Sequence, residues 1–144
     1  ENDMTAYNLT VGGVQQPPAA AMPGMFRMQF TLDFALTPYV SGDVLSIFNI
    51  AQGVSVLSVG TKLLRKEGAT STAHTVGDTG SANQWIATVN ANDTLGTTLA
   101  AVSGWEHYNA ADFVKFTLGA NISNAKIAFF ALVWNVGGDF STEA

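Results

Sequence analysis

Between residues 25 and 36 the chain alternates without a break. Phe26, Met28, Phe30, Leu32, Phe34 and Leu36 fall on one side, and Arg27, Gln29, Thr31 and Asp33 on the other. A β-strand repeats its side-chain direction every two residues, so this segment buries one face and solvates the other only as a strand. Pro38 closes it, and Ser41-Gly42-Asp43 is a turn. The same logic predicts strands over residues 43–50, 54–65, 70–76, 85–89, 112–118 and 126–136. Gly60 predicts a bulge or bend in the second of these. The last is apolar on nearly both faces and is therefore central or covered on both sides. Residues 66–68, 77–81, 90–98 and 119–124 are turns, and Trp105-Glu106-His107-Tyr108 is a short segment of its own. No segment sustains a 3.6-residue period. Helix is confined to single-turn candidates at 19–22 and 109–112. About eight strands separated by turn signals define an all-β, antiparallel β-sandwich. Mixed strand lengths and long connections favour a jelly roll over a simple meander.

Residues 1–24 are different. They hold Pro17, Pro18 and Pro23, the pair Gly12-Gly13, and Ala19-Ala20-Ala21. Adjacent prolines enforce an extended, polyproline-like path. Tyr7, Leu9 and Val11 alternate with Asn8 and Thr10, a strand-like pattern. The division is an extended N-terminal arm, 1–24, that docks on a partner, and a sandwich domain, 25–144.

Composition narrows the function. The chain has 144 residues, 6 Lys and Arg against 11 Asp and Glu, and no cysteine. A net charge of −5 gives a free-standing nucleic-acid binder no basic face with which to displace counterions. Without cysteine there is no disulfide framework, no Cys-ligated metal and no thiol nucleophile. The longest apolar run, Ile127 to Trp134, is far short of the roughly 20 residues a membrane-spanning helix needs. Charged residues are 12% and apolar residues 47%, which suits a chain that hides part of its surface in an assembly.

The residues offer little chemistry. His74 and His107 are 33 positions apart, and no Gly-x-Ser-x-Gly elbow accompanies them, so both are read as sheet-surface or interface histidines. The carboxylates sit beside Gly, Asn or Thr in turn contexts, where Asp bonds local backbone N–H groups. Residues 76–83 are dense in oxygen donors but lack the EF-hand pattern, and a plain loop is the simpler account. Gly137-Gly138 opens no helix and is no dinucleotide site. Lys62, Arg65 and Lys66 form the sole basic cluster, at a solvated hairpin end. No enzyme activity, cofactor or metal is expected. Of the tryptophans, Trp134 is assigned to the core. Trp85 and Trp105 are assigned to a protein interface, with a carbohydrate platform as the alternative.

A set of scaffold motifs runs through residues 40–136. Ser41-Gly42-Asp43 leads into the strand ending Ile50-Ala51. Then come Val54-Ser55-Val56-Leu57-Ser58-Val59-Gly60 and a Val76-Gly77-Asp78 loop running to Trp85-Ile86. Last are Tyr108-Asn109-Ala110-Ala111-Asp112-Phe113 and the apolar strand 127–133. This order resembles the jelly-roll capsid decoration, or cement, proteins of tailed bacteriophages. The resemblance implies a structural virion protein, a homotrimer on the outer capsid surface that bridges subunits of the major capsid protein. With the acidic charge balance and the short apolar runs, neither nucleic acid nor membrane is expected as a partner. Partner contact would fall to the arm through Tyr7, Leu9, Val11, Pro17 and Pro18, and to Trp85 and Trp105. The alternative function is a carbohydrate-binding module or a phage receptor-binding, fibre-tip domain.

Overall fold

The computed structural model describes residues 5–8, 24–100 and 105–135. These form ten strands and no helix. They are β1 (Ala6–Asn8), β2 (Gly24–Asp33), β3 (Val44–Ile50), β4 (Ser55–Arg65), β5 (His74–Gly77), β6 (Ile86–Val89), β7 (Thr98–Ala100), β8 (Glu106–His107), β9 (Asp112–Thr117) and β10 (Lys126–Asn135). The first sheet runs β1-β3-β9-β5-β6 and the second β2-β10-β4-β7, with β8 also on β4. All pairings between strands are antiparallel except β1 with β3.

Apart from β1 and β8, the pairings nest. β2 pairs β10, β3 pairs β9, β4 pairs β7 and β5 pairs β6. The chain is thus one long hairpin with its tip at β5–β6, rolled so that successive turns of the ribbon fall in alternate sheets. The contacts β10–β4 and β9–β5 stitch adjacent turns together. This is the eight-stranded jelly roll, a sandwich whose core lies between two four-stranded sheets.

The sequence pattern explains most of it. β2 alternates, with Met28 and Leu32 buried and Arg27, Gln29 and Thr31 exposed. It stops at Asp33, where Oδ1 accepts the N–H of Ala35 and turns the chain. Phe34 enters the core at that turn, whereas Leu36 is 81% exposed. β10 lies between β2 and β4, the central position its apolar run required. Phe34, Phe116 and Phe129 are fully buried and stack as a chain of tilted and edge-on rings, with Tyr39 at one end.

Four expectations change. Gly60 is not a bulge. It pairs with Phe130 in regular register, and the slips in β4 fall at Leu57 and Leu64. Its lack of a side chain serves packing, since a Cβ would lie 2.2 Å from the Phe130 ring. Residues 98–100 pair as β7 at the end of a stretch read as turn. Residues 109–112 form no helical turn. Thr70 to Ala73 are not strand; Ala73 has φ +67°, and β5 begins at His74. The candidate turn at 19–22 lies outside the described residues.

Candidate functional site

Residues directly opposite each other on neighbouring strands share a face of a sheet. Across one end of the second sheet, Met25 of β2 faces Trp134 of β10, Trp134 faces Ser55 of β4, and Ser55 faces His107 of β8. The flanking residues of β10, Val133 and Asn135, are buried, so this row points outward. Met25 is 59% exposed, Trp134 43%, and Trp105, next to β8, 60%. Trp134, Trp105, Ser55, His107 and Asn109 line a hollow of about 300 Å³. Within it the Ser55 hydroxyl and His107 Nδ1 are hydrogen bonded at 2.8 Å. Further along the same face, Phe130 lies over Gly60, and the Arg27 guanidinium sits 5.6 Å from the Phe130 ring centre.

The other end of this sheet is closed by polar contacts. Arg65 forms an ion pair with Asp33 and donates to the Asn124 carbonyl at 2.7 Å. Burial raises the Asp33 carboxyl, but the Arg65 guanidinium and the Ala35 N–H outweigh it and hold the pKa below the ordinary value. Glu67 accepts the consecutive backbone N–H groups of Ser123, Asn124 and Ala125, each at 2.9 Å. These bonds likewise overcome burial and keep its carboxyl low. Close by, His74 is fully buried. Its Nδ1 accepts the Gly119 N–H at 3.2 Å, and Nε2 bonds the Ser71 hydroxyl, which donates to the Asn121 carbonyl. That arrangement requires the neutral ring protonated on Nε2. Burial depresses its pKa to about 4.

The sequence-derived candidates disperse. Tyr7 sits on β1, which lies on the edge of β3 in its own domain; the Val44 N–H donates to the Thr5 carbonyl at 2.7 Å. Its ring packs edge-on against Tyr39 at 4.8 Å and stays 38% exposed. Leu9, Val11, Pro17 and Pro18 lie outside the described residues. Trp85 needs correction as a surface aromatic: it is 5% exposed, and its backbone N–H extends the β5–β6 ladder to the Val76 carbonyl at 2.9 Å. Trp134 is corrected in the opposite sense, from core to surface. His74 is corrected from a surface to a core residue. The oxygen-rich loop at 76–83 uses its carboxylate internally. Asp78 accepts the Ser81 N–H at 2.9 Å and the buried Tyr108 hydroxyl at 2.7 Å. Among the described residues no three His, Asp or Glu side chains converge as a metal site.

No family model matches the sequence, and no curated protein is similar to it. Solved structures do match. A chain in the capsid of Ralstonia phage GP4 superposes with a TM-score of 0.65 at 10% identity, over 91% of this chain and 98% of that one. A chain in the acid-stable capsid of Helicobacter pylori bacteriophage KHP30 gives 0.61 at 16% identity, over 78% and 90%. A chain in the cyanophage Pam1 capsid gives 0.61 at 16%, over 82% and 89%. The fold is shared with chains of phage capsids. At such identities the comparison shows the fold alone, and no individual residue of the outward row is inherited from it.

Proposed function

We propose that this protein is a structural component of a phage virion, a decoration or cement protein that binds the outer surface of the major capsid shell as a trimer and stabilises it. The observation that carries the reading is the agreement of fold with chains from three phage capsid structures, each matched over nearly its whole length. The matched chains are therefore domains of about this size. The chemistry of the surface supports it. One end of the sandwich is locked by internal polar bonds, while the other presents Met25, Trp105 and Trp134 to solvent. Exposed aromatic and Met side chains of this kind are enriched where proteins meet. Three-fold repetition converts weak contacts of one copy into firm attachment. The arm, through Tyr7, Leu9, Val11, Pro17 and Pro18, adds contacts to the shell or a neighbouring subunit. The role calls for no catalytic residue.

Purified particles of the source phage test it. Mass spectrometry with gel densitometry should find this chain in hundreds of copies, in fixed ratio to the major capsid subunit. Its absence from the particle overturns the virion role, and a few dozen copies point to a fibre or tail tip. Removal of residues 1–24 tests the arm. It uncovers the edge of β3 and should lower capsid occupancy while the sandwich stays folded. Unchanged occupancy removes the arm from the binding surface.

A further inference from the structure

The hollow between Trp105 and Trp134 has a composition that a flat protein contact does not need. Its volume of about 300 Å³ is at the lower limit for small-molecule pockets. Two indole rings supply apolar faces. Ser55 is 4% exposed, and its hydroxyl is tied to the half-buried His107 at Nδ1, so a hydroxyl–imidazole pair is held in place in the lining of the same hollow. The exposed Asn109 adds an amide able both to donate and to accept. Among the described residues, no Lys, Arg, Asp or Glu lines the site. The combination calls for a neutral ligand with an apolar face and a hydroxyl-bearing edge. A pyranose ring has both, its axial C–H bonds on one side and its hydroxyls around the rim.

We infer that the hollow lined by Trp105, Trp134, Ser55, His107 and Asn109 binds a single pyranose unit of a neutral carbohydrate. The rings stack on the C–H face, and Asn109 with the Ser55–His107 pair takes the hydroxyls. The site belongs to the isolated chain and does not rest on the capsid role, so either can fail without the other.

The full-length chain is titrated with the methyl glycosides of glucose, galactose and mannose and with N-acetylglucosamine, followed by saturation-transfer NMR and tryptophan fluorescence. At least one sugar is expected to receive saturation on its ring C–H protons and to shift the indole emission. Trp105→Ala and Trp134→Ala should each weaken binding about tenfold, the loss of one aromatic face. Trp134→Phe, which keeps a stacking ring, should lose less. Asn109→Ala guards against a tryptophan variant that does not fold, and it too should weaken binding. Leu36→Ala, on an exposed residue elsewhere, should change nothing. No saturation transfer with any of the four sugars overturns the site, as does binding that survives Trp105→Ala and Asn109→Ala. If no sugar binds and Trp105→Ala instead lowers occupancy on the capsid, the hollow is part of a protein interface.

Discussion

The two ends of β4 solve opposite problems. At Arg65 nearly every polar group is consumed within the chain: the Asp33 ion pair, three backbone N–H groups on Glu67, and the His74–Ser71–Asn121 relay. At Ser55 the outward side chains are large, apolar and wet. Both ends belong to one sheet and are joined by the same three long strands, so the contrast is not one of rigid against loose framework. It separates surface that has been satisfied internally from surface left for something else. A buried polar group without a partner costs more than an exposed tryptophan, so only the apolar end can be left open cheaply.

Acid is the strongest way to break the contrast, because Asp33, Glu67 and His74, whose pKa values the fold depresses, all lie at the closed end. His74 has a folded pKa of about 4 against an ordinary 6.5. Its contribution is complete above the unfolded value and is lost as pH falls from about 6.5 to about 4, where only the unfolded chain takes up the proton. That difference amounts to about 3 kcal/mol. Asp33 and Glu67 have depressed pKa values and act in the same direction at lower pH, losing their stabilisation as they protonate. Urea unfolding at pH 7 and pH 4 should show the loss, and His74→Gln should flatten it. An unchanged pH dependence in that variant assigns the loss to other groups. Next in size is Glu67→Gln, which puts an amide N–H against a row of backbone donors. It should cost about 1–2 kcal/mol at pH 7 by the same assay. Smallest is Trp105→Ala at the open end, expected to alter stability by no more than about 0.5 kcal/mol. A larger loss would mean that the ring holds the fold together and is not reserved for a partner.

Much of this was legible in the sequence, and the failures have physical causes. Period-two alternation fixed β2 because one of its faces is dry and the other wet. β10 defeated the same reasoning over Trp134, because long apolar residues occupy both faces of a central strand. The signal was parity: Trp134 shares a face with Lys126, and a lysine marks the solvated side. Trp85 was misplaced for the converse reason, since loop-adjacent position says nothing about burial once the next strand pairs. The row Met25–Trp134–Ser55–His107 joins four strands far apart in sequence, and only the register assembles it. Ser71 and His74 are close in sequence, yet the Gly119 N–H and Asn121 carbonyl that fix the ring's tautomer come from a distant loop.

The nested pairing of the ribbon also sets the order in which the molecule can be made. Gly24 finds its ladder partner only in Asn135, and Asp33 in Lys126. On the ribosome, β2 therefore waits, its Phe and Met side chains uncovered, until β10 has been synthesised. The second sheet closes last, when β10 joins β2 to β4. Folding by such distant pairings is slow, on the order of milliseconds to seconds, and each nascent copy passes through a period of exposure to its neighbours.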